Sequence, residues 1–147
     1  METKNTFIKV GEKSMSSPQG LDYQLVGGKS YHVEYEAYTD TLYLKEVTNI
    51  TLPEKLYVTE EDKRFVDKIL FNFEIATSTV GVLLSGTKGA GKTVLTKQLA
   101  MKSELPIIII DKSMPAFRLK RLFEYFKNMR VCIIMDEIDK LGKNYDD

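Results

Sequence analysis

The chain is 147 residues long, 43% hydrophobic and 29% charged, and its 21 basic and 21 acidic side chains cancel. That length holds one domain with a real core, and zero net charge excludes a global pull toward nucleic acid or an anionic membrane while leaving room for a local basic patch. A single cysteine excludes an intrachain disulfide and fits a reducing compartment, and no apolar stretch approaches the ~18 residues that span a bilayer.

The first residues, Met-Glu-Thr-Lys-Asn, lack the apolar core of a secretion signal, so a cytoplasmic protein with no membrane partner is expected. Residues 1–29 show little apolar periodicity. Ser14, Ser16, Ser17, Pro18, Gly20, Gly27 and Gly28 mark loops there, and a flexible arm is expected. Tyr31, Val33, Tyr35 and Ala37 then alternate with His32, Glu34 and Glu36, which predicts a strand. Thr39-Asp40 reads as a turn and Thr41 to Ile50 as a second β-prone stretch, together a hairpin. These strands make residues 30–55 a β-rich extension.

Thr59 followed by Glu60, Glu61 and Asp62 reads as a helix N-cap with acids in the first turn. Phe65, Val66, Ile69, Leu70, Phe73 and Ala76 recur behind it at helical spacing. The apolar run Val80 to Leu84 predicts a strand, and Val94, Leu95, Leu99 and Ala100 the apolar face of a second helix. Pro106 opens Ile107 to Ile110, an unalternating β-branched run expected to be buried on both faces. Ser113 and Pro115 start a third helix with Leu119, Leu122, Phe123 and Phe126 toward the core. Val131 to Met135 is the last strand, with Cys132 expected to be buried, and it runs into Asp136-Glu137. From Thr59 onward the order α-β-α-β-α-β predicts a parallel sheet with helices on its faces.

Between the predicted strand and the second helix stands Gly86-Thr87-Lys88-Gly89-Ala90-Gly91-Lys92-Thr93, a full match to the phosphate-loop pattern G-x-x-x-x-G-K-[ST]. Strand, glycine loop and helix are the context that the chemistry requires. Glycines let backbone N–H groups curl around phosphate oxygens without Cβ collisions, and the helix directs its positive end at the same anion. Lys92 supplies a point charge for the β- and γ-phosphates, and the Thr93 hydroxyl is a hard oxygen ligand suited to Mg²⁺. A nucleoside triphosphate is therefore the expected ligand. Asp136 lies at the carboxyl end of an apolar strand, where open α/β sheets place their ligand crevice. An acid there can hold Mg²⁺ directly or through water, and Glu137 can accept a proton from water attacking the γ-phosphate.

The loop Gly86 to Thr93, taken with Ile133-Ile134-Met135-Asp136-Glu137-Ile138-Asp139, resembles the Walker A and Walker B motifs of the AAA+ ATPases, over about Leu56 to Leu141. The adjacent Asp-Glu pair carries the distinction from other P-loop branches. The resemblance implies a P-loop three-layer α/β/α parallel sheet, here with its first three core strands and an N-terminal β-hairpin extension, so that 56–147 would be a truncated core. It implies ATP and Mg²⁺ as cofactors and Gly86 to Val94 as nucleotide contacts. Lys92 and Glu137 would be catalytic, Thr93 and Asp136 metal ligands, and Leu56-Tyr57-Val58 would border the adenine. It further implies a homo-oligomeric ring that remodels a protein or nucleic-acid partner, and the general look suggests a phage or mobile-element ATPase.

The sensor strand, arginine finger and helical lid of that family have no counterpart up to Asp147. In the family's strand order, 5-1-4-3-2, Val80–Ser85 and Arg130–Asp136 would then flank an empty slot. Two expectations follow: a piece of a working ATPase, or a non-catalytic nucleotide-binding module whose two strands pair directly. Arg118, Lys120, Arg121, Lys127 and Arg130 make the third helix basic, either a solvated face or a nucleic-acid contact. Phe117 falls where such rings carry an aromatic that grips substrate, with core packing as the alternative.

Overall fold

Ten isoleucine, leucine, valine, aromatic and methionine side chains from distant parts of the sequence collect into one cluster, and a mixed sheet forms around them. The computed structural model describes residues 6–10, 13–17, 24–36, 38–111, 113–136 and 138, with 6–10 and 13–17 described by backbone alone. The strands are β1 (Thr6–Val10), β2 (Lys13–Ser17), β3 (Ser30–Glu36), β4 (Thr41–Val47), β5 (Ile107–Ile110) and β6 (Cys132–Met135). The helices are α1 (Glu60–Ile75), α2 (Lys92–Lys102) and α3 (Ala116–Phe126). The chain divides into two compact units, residues 1–49 with 105–147, and residues 50–104.

The first unit is built on a six-stranded sheet in the order β1-β2-β4-β3-β5-β6. Its N-terminal four strands are antiparallel, whereas β3 pairs β5, and β5 pairs β6, in parallel. The predicted hairpin forms with Val33 opposite Leu44 and Tyr35 opposite Leu42. Tyr31, Val33, Leu42 and Leu44 are buried, as the period-two alternation requires. Ile108 and Ile110 join them, and Leu122 and Phe126 of α3 cover them. Phe123, expected on that core face, is 39% exposed. Its place on the 3.6-residue period lies at the margin of the stripe set by Leu119, Leu122 and Phe126. Strands β1 and β2 stand within residues 1–29, where loop signals dominate the sequence. The open edge of β4 supplies ladder partners, Lys13 opposite Lys45 and Met15 opposite Tyr43, which local propensity does not reveal.

A polar brace joins the hairpin turn to α3. The Tyr35 hydroxyl donates to Asp40 Oδ1 at 2.7 Å, and Arg118 donates to the same hydroxyl. The Arg118 guanidinium lies 3.5 Å from the Tyr35 ring centroid, and Arg121 approaches Asp40 at 3.6 Å. Two of the basic side chains of α3 are thus engaged within the fold.

The second unit holds α1, the segment 76–91 and α2. Helix α1 starts at the predicted cap: the Thr59 side chain accepts from the Asp62 amide, and the Asp62 carboxylate accepts from the Thr59 amide. Segment Val80–Ser85, expected as the first core strand, belongs to no strand. Strand β6 has a ladder partner only in β5 among the described residues. The one-sided position of β6 also leaves all four of its residues, Cys132 included, half-buried instead of buried.

Candidate functional site

The phosphate loop lies wholly within the second unit, and its shape follows from its glycines. Gly86, Gly89 and Gly91 have φ of 148°, 84° and 82°, in the region that side chains with a Cβ avoid. A Cβ on Gly89 or Gly91 would meet nothing within 4 Å, so backbone angle and not crowding selects glycine there. The Ala90 amide donates to the Thr87 carbonyl at 3.2 Å and closes the turn. Gly91 is the N-cap of α2 and gives its first-turn amides no side-chain partner. Those amides are the unsatisfied donors that suit an anion.

Lys92 opens α2 and folds back over the loop. Its ammonium donates to the Gly86 and Thr87 carbonyls, each at 2.7 Å. Thr87, Lys88, Gly89, Ala90 and Thr93 are exposed, and Val94 is half-buried. Beside Lys92 opens a cavity of about 380 Å³, the scale of a small-molecule site. Val94, Leu95, Val58 and Phe65 give it apolar walls, and Asp62 and Gln98 place polar groups in its lining. Of the three residues expected to border an adenine, Val58 lines this cavity, whereas Tyr57 is 97% exposed. Asp62, Phe65 and Gln98 were not singled out as site residues from sequence. Asp62 reads there as a capping acid, and a helix face at period 3.6 does not say which cavity it borders.

Gly86 to Val94 therefore form one continuous group. Asp136 belongs to the first unit, one residue beyond β6, and is exposed. Glu137 lies outside the described residues. His32 Nδ1 lies 3.3 Å from Asp111 Oδ2, and among the described residues no group of three or more His, Cys, Asp or Glu is disposed to hold a metal ion. Phe117 is the second residue of α3, not part of a loop, and is 63% exposed, which excludes the core role.

A fold of α/β type, a phosphate loop and an acid pair after a β-strand define a class, the P-loop ATPases. Residues 82–147 match the model of the AAA family, "ATPase family associated with various cellular activities", and it is that segment which is similar to the family. An ATP-dependent zinc metalloprotease FtsH from Heterosigma akashiwo is 34% identical over 112 residues, covering 65% of this chain and 17% of that protein. The FtsH proteins of Acaryochloris marina and Aquifex aeolicus are each 40% identical over 72 residues, 43% of this chain and 11% of theirs. This chain thus spans less than a fifth of the length of these relatives. No solved structure matches. No helix among the described residues is long and apolar enough to cross a membrane.

Proposed function

We propose that this chain binds Mg-ATP through Gly86–Val94 and that, within the complete protein, it hydrolyses ATP to drive remodelling of a macromolecular partner in a homo-oligomeric ring. A cytoplasmic location belongs to the same proposal. One observation carries the reading: the left-handed Gly91 delivers uncapped α2 amides and the Lys92 ammonium to the same open loop. The residues fit the cofactor, since amides and an ammonium match phosphate oxygens and a threonine hydroxyl matches a hard cation.

Lys92 exchanges its two carbonyl partners for the β- and γ-phosphates. Thr93 and Asp136 would be the residues that hold a magnesium ion, which would supply positive charge to offset that of the phosphates. Glu137 takes a proton from the attacking water. Titration of the 147-residue chain with a fluorescent ATP analogue and magnesium tests the binding step. We expect saturable uptake, abolished in Lys92→Ala. Uptake that is absent from the folded chain, or equal in the Lys92→Ala variant, would sink the proposal. Saturable uptake with no phosphate release from the complete protein would favour the non-catalytic binding module.

A further inference from the structure

Among the described residues, β1 ends the sheet on one side and β6 on the other. A sheet edge presents a row of N–H and C=O groups that can pair with another chain, and soluble proteins blunt such edges with Lys, Pro or bulges. Strand β1 carries Lys9 within its span. Strand β6, Cys132-Ile133-Ile134-Met135, holds no charge and no proline, and all four of its residues are half-buried. Ile133 and Met135, with Val131 before them, pack against the core cluster yet are only partly covered.

The ladder fixes which peptide groups point outward. The Cys132 amide donates to the Pro106 carbonyl at 2.9 Å, and Ile133 lies beside Ile108 of β5. Direction alternates along a strand. The peptide groups of Cys132 and Ile134 therefore turn to β5, and those of Val131, Ile133 and Met135 turn away from it. An antiparallel neighbour must set outward groups against outward groups. Two copies of this strand do so about a twofold axis at Ile133. Ile133 then opposes Ile133 of the second copy, Val131 opposes Met135, and Cys132 opposes Ile134. At each end Arg130 opposes Asp136, and both are exposed. A slip of one residue sets outward groups against groups that β5 already uses. A slip of two sets Arg130 against Ile134, or Asp136 against Cys132. One register thus matches hydrogen bonds, apolar pairs and opposite charges together.

We propose that β6 docks along β6 of a second copy of this chain, in an antiparallel twofold dimer closed at each end by Arg130 against Asp136. Such a contact uses the same surface on both copies, unlike the head-to-tail contacts that close a ring. It does not depend on the nucleotide reading.

The test is sedimentation equilibrium of the 147-residue chain across the micromolar range, without nucleotide. A monomer–dimer equilibrium is expected. By symmetry a single charge reversal places like charges together at both ends. Arg130→Glu and Asp136→Arg are each expected to raise the dimer dissociation constant by about tenfold or more. The double variant Arg130→Glu/Asp136→Arg is expected to return it close to the unmodified value. Ile133→Pro removes an outward N–H and leaves the bonds to β5 in place, and it is expected to weaken the dimer too. If the proline prevents folding, the charge variants, both at exposed positions, decide alone. A chain that stays monomeric throughout the range overturns the proposal. So does a dimer that ignores both single reversals, or one that the double variant fails to restore. A monomer whose Ile133 and Met135 amides resist hydrogen exchange overturns it as well, because a strand of the same chain then covers the edge.

Discussion

Lys92 holds two carbonyls of its own loop, which leaves one of its three N–H donors for a phosphate until those carbonyls are released. The contact keeps the ammonium over the cradle and gives up hydrogen bonds of the kind that a ligand replaces. Arg118 is engaged differently: stacked on Tyr35 and bonded to its hydroxyl, it ties α3 to the hairpin turn. The bond that Tyr35 donates to the Asp40 carboxylate, helped by desolvation, pushes its phenol above the ordinary 10.0, against the opposing Arg118 charge. A raised value in the folded state means that the neutral phenol is the stabilised form. The contribution is complete below pH 10.0 and is lost as pH climbs through the folded value. Tyr35→Phe should therefore lower the denaturant midpoint at neutral pH, and the difference from the unmodified protein should shrink in strongly alkaline solution. A difference that does not vary with pH would show that the phenol proton takes no part in the brace.

At the level of elements, the parts with strong local signals were readable. Thr59 and Asp62 announced the start of α1, four consecutive isoleucines announced β5, and the alternation of Tyr31 and Val33 announced the face that β3 buries. The glycine loop was readable because chemistry and backbone geometry demand the same residues there: positive φ and open amides both call for glycine at 89 and 91. What could not be read depends on distant partners. Val80–Ser85 has the composition of a strand but forms none, because a ladder needs a neighbour and no propensity provides one. Strands β1 and β2 show the converse, weak local patterning completed by the edge of β4. The roles of Asp62 and Gln98 were hidden for the same reason: a cavity wall is assembled from α1 and α2 together, and each helix alone shows only its own period.

For the molecule as a whole, the two units are unequal. The first encloses a ten-residue cluster, whereas the second buries only Val66 and Ala100 and leaves Phe71, Ile75 and Leu83 between 64% and 76% exposed. The unit that carries the phosphate loop is therefore the weaker one, since burial of apolar surface is the main stabilising term. Thermal unfolding is expected in two steps, with residues 50–104 melting first. Mg-ATP at a hundred times its dissociation constant should stabilise that step by about 2.7 kcal/mol and leave the second unmoved. A single transition, shifted as one by nucleotide, would show that the two units unfold together. Cys132 donates its amide to the Pro106 carbonyl at 2.9 Å, so along β6 the amides of Cys132 and Ile134 face β5, and those of Ile133 and Met135 face away from it. In heavy water the strand should become striped, with deuterium entering quickly at 133 and 135 and slowly at 132 and 134, and any chain that docks along its outer side should erase the stripes.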